Sequence, residues 1–321
     1  MKKNQSLAVV MDPISDINFS KDSTLAMLLA ADTKNFDLYY LEQKDLWLRD
    51  GVSYARIRPL KVFKELNRWF ELGEAKIIRL GDIDAILMRK DPPFNMEYIY
   101  STYVLERAEE QGALVVNSPR GLRDINEKAY TAWFPQCCAP TLITRNMLDM
   151  QEFLQEQGKI VCKPLDGMGG RSIFVIDKDD KNTNVIFETL TDYGTRYAMT
   201  QRYLPEIVAT GDSRILLVDG KAVPYALARI PSKADNRGNL AAGATGVGRP
   251  LNARDHFLAE QIGPRLAAKG MLFVGIDVIG GYVTEINVTS PTGIQELNKQ
   301  FNLDIGGLLI QAIQQRLTIL E

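Results

Sequence analysis

The chain of 321 residues reads as an α/β protein built from two or three subdomains. Three observations carry that reading. Strand-like and helix-like segments alternate from Leu7 to Asn117, as in a parallel α/β layer. From Ile160 onward, strand-like runs come in pairs joined by glycine-rich turns, as in antiparallel sheets. The length is more than one small core requires.

In order, Leu7 to Met11 is an apolar run, expected as the first buried strand. Lys21 to Ala31 is expected as a helix capped by Ser20. Phe36 to Leu41 reads as a strand, residues 62–72 as an amphipathic helix, and Asp84 to Met88 as a buried strand. Glu97 to Gln111 is a long helix and Leu114 to Asn117 a further strand. A helix is expected from Arg123 through Trp133, broken by Pro135 to Pro140, with another at Met147 to Glu156. Then come a strand at Ile160 to Lys163, a loop at Asp166 to Gly170 and a strand at Ser172 to Ile176. Thr200 to Pro205 reads as a connector between lobes whose backbone could read an adenine edge. Gly211 to Gly220 is a strand and turn, Pro224 to Ile230 a strand, and Leu258 to Ala268 a helix. Phe273 to Ile279 and Tyr282 to Val288 form a hairpin around Gly280-Gly281, and Ile305 to Leu320 closes the chain as a helix.

Composition excludes several classes. The hydrophobic share is 45%, the charged share 24% and the net charge −2. With no Lys/Arg block, nothing marks a nucleic-acid or membrane surface. The apolar run after Met1 stops at Asp12, too soon for a secretory signal. Three cysteines do not make a disulfide framework and suit a reducing cytosol. His256 is the only histidine, which removes zinc sites built on His ligands. It is expected on the surface, in the first turn of a helix. Chemistry is left to carboxylates, lysines, arginines and backbone N–H groups.

Two stretches carry chemistry. In the Phe273–Val288 hairpin, Asp277, Glu285 and Asn287 are oxygen donors, a set that suits a hard cation such as Mg²⁺. In Lys163-Pro-Leu-Asp-Gly-Met-Gly-Gly170, three glycines in four residues let backbone N–H groups approach an anion. No Gly-Lys-Ser/Thr ending and no helix follow, so this is neither a Walker A loop nor a dinucleotide fingerprint. It is the arrangement of a flap over a triphosphate. Met11-Asp12-Pro13 and Arg89-Lys90-Asp91 follow strands, where ligands bind in α/β layers. Ser232 to Gly248, with Arg237, has few large apolar residues and reads as a mobile lid.

Taken together, the lysines, glycine flap, carboxylate site, arginines and lid resemble the ATP-grasp fold. Met11-Asp-Pro-Ile14, Leu87-Met-Arg-Lys-Asp-Pro-Pro-Phe94, Arg237-Gly-Asn-Leu-Ala-Ala-Gly243 and Thr284-Glu-Ile-Asn-Val-Thr-Ser-Pro-Thr292 resemble the prokaryotic-type glutathione synthetase family, over residues 7–317. The resemblance implies an N-terminal Rossmann-like (pre-ATP-grasp) α/β domain at 1–122, a central lid domain at 123–203 and a C-terminal antiparallel-sheet domain at 204–321. It implies ligation of γ-glutamylcysteine and glycine by ATP through an acyl phosphate, with Mg²⁺ or Mn²⁺, in the cytoplasm, by a homo-oligomer, a tetramer or a dimer. It implies Asp277, Glu285 and Asn287 as metal ligands, with Lys128 and Lys163 on the α/β-phosphates. Gly167, Met168, Gly169 and Gly170 would cover those phosphates. Gln201, Tyr203 and Leu204 would read adenine and Asp212 the ribose. Arg214 and Arg229 would face the transferring phosphoryl group, and Arg237 on a lid at 230–245 would close over the acyl phosphate. Ser290 and Thr292, and more remotely Asp12, Ser23 and Arg89, would bind substrate. Where the family often has Ala-Gly-Gly-Arg, this chain has Ala242-Gly243-Ala244-Thr245, which removes a lid arginine.

Other readings stay open on the residues themselves: a different ATP-grasp carboxylate–amine ligase, or a nucleotide-binding regulatory module without turnover. A two-residue turn at Gly280-Gly281 would pair Asp277 with Thr284 and turn Glu285 and Asn287 away. For the three donors to meet, the hairpin needs a longer turn or a bulge that sets Asp277 opposite Glu285.

Overall fold

The computed structural model describes residues 4–167, 171–230 and 245–320. The first part contains β1 (Ser6–Val10), α1 (Ser23–Thr33), β2 (Asp37–Leu41), β3 (Leu46–Arg49), β4 (Val52–Val62), β5 (Phe70–Leu72), β6 (Lys76–Arg79), β7 (Ala85–Met88), α2 (Met96–Glu110), β8 (Leu114–Val116) and α3 (Pro119–Asp124). The sheet runs β3-β4-β2-β1-β7-β8, with β5 and β6 added to β4. Pairs β1–β2, β1–β7 and β7–β8 are parallel, as the alternation required. All five residues of β1 are buried, which is why Leu7 to Val10 run apolar without alternation, while Ser6 Oγ donates to Asp84 at 2.6 Å.

Three expectations fail here. Residues 62–72 are not a helix; β4 ends at Val62 and β5 returns antiparallel to it at Phe70–Leu72. α1 starts later than expected because Asp22, not Ser20, is its cap, accepting from Leu25 N at 2.6 Å. Instead of one helix through Trp133 there are α3 and a short 3₁₀ turn at Ala129–Trp133. Asn126 caps that turn, its side chain accepting from Lys128 N at 3.0 Å and Ala129 N at 2.8 Å. Asn at such a position offers the backbone an alternative to helix.

The central part contains β9 (Thr141–Thr144), α4 (Met147–Gln157), β10 (Lys159–Pro164), β11 (Phe174–Asp177), α5 (Thr183–Thr191) and β12 (Ala198–Arg202). Its sheet, β11-β10-β12-β9, is antiparallel throughout. It has its own small core, in which Met150, Leu154 and Phe187 from the helices cover Ile160, Cys162 and Ile176. Thr200 to Arg202, expected in a connector, are strand residues of β12; only Tyr203 to Pro205 link this part to the next.

The last part contains α6 (Glu206–Thr210), β13 (Asp212–Val218), β14 (Lys221–Ile230), β15 (Thr245–Pro250), α7 (Ala253–Ala267), β16 (Phe273–Ile279), β17 (Tyr282–Asn287), α8 (Ile294–Phe301) and α9 (Ile305–Leu320). The sheet is antiparallel in the order β15-β14-β13-β16-β17. α7 begins five residues earlier than expected, because Asn252 and Asp255 form a reciprocal cap, each side chain accepting from the other's N–H at 2.9 Å. His256 is exposed in its first turn, as expected. α9 packs on α1, with Gly306 against the carbonyl of Ala26, so the first and last parts share one apolar core. Among the described residues no helix is long and apolar enough to cross a membrane, and Cys137, Cys138 and Cys162 are free.

Candidate active site

The hairpin of β16 and β17 turns on Gly280 (φ +57°) and Gly281 (φ +79°), a pair of left-handed residues that matches strand twist. Beyond the turn Ile279 pairs with Tyr282 and Val278 with Val283, but Asp277 then pairs with Glu285, leaving Thr284 as an extra residue. This is the bulge that three converging donors require. Gly275 then pairs with Asn287, so Asp277, Glu285 and Asn287 stand on one side of the hairpin and line one cavity of about 360 Å³. Ile276, Ile286 and Val288 take the opposite side and join the core.

Register places the arginines as well. Arg214 on β13 pairs with Asp277 on β16, and Asp212 on β13 with Arg229 on β14. Gly275 lets Arg214 lie across β16, since a Cβ there would stand 2.7 Å from the Arg214 side chain. Arg214 donates to both carboxylate oxygens of Asp277, at 2.5 and 2.9 Å. Arg229 bridges Asp212 at 2.5 Å and Asp277 at 2.8 Å. Burial alone would raise the pKa of Asp277, but the two guanidiniums outweigh it and hold this carboxyl well below its usual range. Asp212 goes the other way: burial raises it, with Asp277 and Glu285 adding to the rise and Arg229 opposing it. Asp212 Oδ1, Arg229 Nε and Asn287 Nδ2 are buried without partners among the described residues. Buried polar atoms of this kind call for a ligand.

Lys128 and Lys163 enter the same cavity from two directions. Lys163, on β10, is buried and donates to Gln201 Oε1 at 3.0 Å, while Gln201 donates on to Thr141 Oγ1 at 3.0 Å. Burial lowers the pKa of Lys163, with Glu285 pulling against it. The Gln201 side chain therefore positions Lys163. Lys128 is almost fully buried, donating to Glu127 and to the carbonyl of Gly167, with Glu285 at 3.6 Å. Burial would depress Lys128; Glu285 and Glu127 together more than offset it. Glu127, which the sequence reading missed, lines the cavity and is raised by burial and by Glu285. Its backbone carbonyl accepts from Ile286 N at 2.8 Å, tying this segment to β17.

Gly167, Tyr203, Leu204, Ser290 and Thr292 also line the cavity. Asp12, Ser23 and Arg89 are not among the residues lining this cavity. Ser23 Oγ accepts from Ile294 N at 3.2 Å. Buried Arg89 donates to Thr24 Oγ1 at 3.1 Å and to the carbonyl of Pro291 at 3.0 Å. Asp12 pairs with Lys90 at 2.9 Å and accepts from Asp91 N at 3.0 Å. Arg89 and Ser23 thus tie the first part to the segment after β17, while Asp12 braces the loop that follows β7. Asp91, named in the sequence as part of the Arg89-Lys90-Asp91 loop, lines the cavity together with Pro92. Met168, Gly169, Gly170, Arg237 and the expected lid interior lie outside the described residues.

Comparison with known proteins agrees with this arrangement. Residues 6–123 match the N-terminal domain of prokaryotic glutathione synthetase, and residues 127–302 match its ATP-grasp domain. The chain is 56% identical to a glutathione synthetase of Shewanella oneidensis over 97% of this chain and 98% of that one. It is 55% identical to that of Pseudomonas putida over the same shares. Among solved structures, a D-cycloserine synthetase aligns over 97% of this chain and all of its own, with TM-score 0.68 at 14% identity. The ATP-grasp ligase PsnB covers 98% of this chain and 99% of its own, with TM-score 0.63 at 16% identity. The two structures establish the ATP-grasp fold; with the matches in sequence, they place the chain in the prokaryotic glutathione synthetase family.

Proposed function

We infer that this chain is an ATP-dependent ligase that joins γ-glutamylcysteine to glycine, giving glutathione, ADP and phosphate. Beside the family relationship, one observation carries the reading. A single cavity gathers Lys128, Lys163, Arg214 and Arg229 against Asp277, Glu285 and Asn287. Those are the parts needed to hold a triphosphate, neutralise its charge and bring a carboxylate to it.

A carboxylate is a poor electrophile. In the proposed course, an oxygen of the cysteinyl carboxylate attacks the γ-phosphorus, the bond to the β-phosphate oxygen breaks, and ADP leaves. The glycine amine then attacks the acyl carbon, the C–N bond forms, phosphate departs and the amine loses its protons. Arg214 and Arg229 meet the charge that moves to the transferred phosphoryl group. Lys128 and Lys163 hold the α/β-phosphates, with Gly167 and, outside the described residues, Met168, Gly169 and Gly170 over them. Gln201, Tyr203 and Leu204 form the adenine end and Asp212 the ribose contact. Ser290 and Thr292 stand at the substrate end, and Arg237 is assigned to the cover over the acyl phosphate. The residues so held exclude water and set the reacting atoms in line.

The donor set fits a hard divalent cation. Glu285 and Asn287 present oxygen donors beside Asp277, and among the described residues no Cys or His lines the cavity. Mg²⁺, with Mn²⁺ as substitute, would be held by these three and would offset the negative charge of the β- and γ-phosphates. In the same reading the chain divides into domains at 1–122, 123–203 and 204–321, works in the cytoplasm, where three free cysteines are stable, and assembles as a homotetramer or dimer.

A panel assay checks the activity. Phosphate release is measured with γ-glutamylcysteine against other dipeptides and amino acids, each with glycine and with other amines. The expected result is release that needs both γ-glutamylcysteine and glycine. Equal release with a different carboxylate would reassign the chain to another ligation; release with none would leave a nucleotide-binding module.

A further inference from the structure

Among the described residues that precede Glu127, only Asp91 and Pro92 line the cavity. Asp91 is thus the one charged group that the first part of the chain contributes to it. Its main chain is fixed from both sides. Its N–H donates to Asp12 at 3.0 Å, its carbonyl accepts from Lys90 Nζ at 2.7 Å, and Lys90 and Asp12 pair with each other at 2.9 Å. Ser290 Oγ donates to one carboxylate oxygen. The cavity's other four acidic residues are committed to cations: Asp212 and Asp277 to the arginines, Glu127 and Glu285 to Lys128. Among the described residues, Asp91 has no lysine or arginine side chain within ion-pair distance of its carboxylate.

Resting on the ligation proposed above, we propose that Asp91, steadied by Ser290, binds the α-ammonium of the γ-glutamyl end of the acyl donor and sets specificity for it. Position decides between the two ammonium-bearing substrates. Arg214 Nη1 lies 3.4 Å from the carbonyl of Thr292, and Asp91 is held two residues away at Ser290. Two residues span roughly 5–7 Å of chain. With the reacting carboxylate at Arg214 and Arg229, an extended γ-glutamylcysteine places its ammonium about 8–9 Å away, from standard bond lengths. That is of the same order as the span from Thr292 to Ser290, whose hydroxyl holds the Asp91 carboxylate. A glycine amine held there would stand farther than the roughly 3–3.5 Å at which it could attack the acyl carbon. Asp12, which does not reach the cavity, then acts as a positioning residue for Asp91.

Equilibrium binding tests the assignment without requiring turnover. Calorimetry compares γ-glutamylcysteine with N-glutarylcysteine, which lacks only the ammonium, on the wild-type protein and on Asp91→Asn. The wild type is expected to bind γ-glutamylcysteine at least about tenfold more tightly than the analogue, the range for a hydrogen-bonded charge. Asp91→Asn is expected to bind γ-glutamylcysteine as weakly as the wild type binds the analogue, with discrimination near one. A wild type that does not discriminate overturns the proposal. So does a variant that keeps a fivefold or larger preference, because Asp91 would then matter only as support for buried Arg89. Turnover kinetics supply a second readout: the KM for γ-glutamylcysteine rises while that for glycine stays, and the reverse pattern overturns the proposal. Failure of the wild type to release phosphate would count against the ligation alone, since the binding ratio still judges Asp91.

Discussion

Glu285→Gln lowers phosphate release with ATP, γ-glutamylcysteine and glycine by about 10²–10³-fold, the range for losing one electrostatic partner of a developing charge. The change removes one negative charge from the face shared with Asp277 and Asn287, and it leaves Lys128 with Glu127 as its one charged partner among the described residues. Its structural cost is small. The Glu285 side chain is 21% exposed and its lysine lies 3.6 Å away, so the thermal midpoint stays nearly unchanged. The divalent-cation concentration giving half-maximal rate rises at the same time. Steady-state phosphate release over a cation titration checks both. If the wild type releases no more than this variant, the enzyme reading fails.

Asp277→Ala has a different signature. Its side chain is 4% exposed and serves Arg214 and Arg229 together. Removing it leaves two buried guanidiniums with one carboxylate, Asp212, between them. Breaking a buried charge network in this way costs about 3–5 kcal/mol, because the uncompensated charge stays inside. The urea midpoint therefore falls with an unchanged slope, and activity falls at least as far as in Glu285→Gln. A stable but inactive Asp277→Ala would show that the aspartate serves only the ligands and not the arginine lattice.

The parallel layer was legible because β1 and β2 are largely apolar runs joined through α1, and β7 and β8 are apolar runs joined through α2. The hairpin was legible down to its bulge, because three donors of one kind had to meet. Residues 62–72 misled because Val62, Phe63, Leu66, Trp69 and Phe70 fall at helical spacing. Leu66 is nonetheless 64% exposed, and the segment follows β4, an eleven-residue strand that sets its neighbour's conformation. Asp91 was named only as one of three residues of its loop, because a loop has no period from which to read side-chain direction. Glu127 did leave a signal: a lysine destined for burial needs a counter-charge, and Glu127 is adjacent to it in sequence.

Thr284 carries a consequence for how this hairpin tolerates change in length. On β16, Asp277 faces the cavity while Ile276 and Val278 face the core. Were Thr284 paired regularly with Asp277 instead of bulged, Glu285 would fall opposite Ile276 and be driven into that core, with Ile286 turned out to the ligand. The strand thus contains one residue more than its pairing uses. Deletion of Thr284 should leave Asp277 opposite Glu285 and keep measurable activity, whereas insertion of one residue after Thr284 should abolish it by exchanging the two faces. A purified pair of such length variants, assayed for phosphate release, distinguishes a tolerated frame from a broken one. Indels in this stretch are then filtered by parity and position rather than by size.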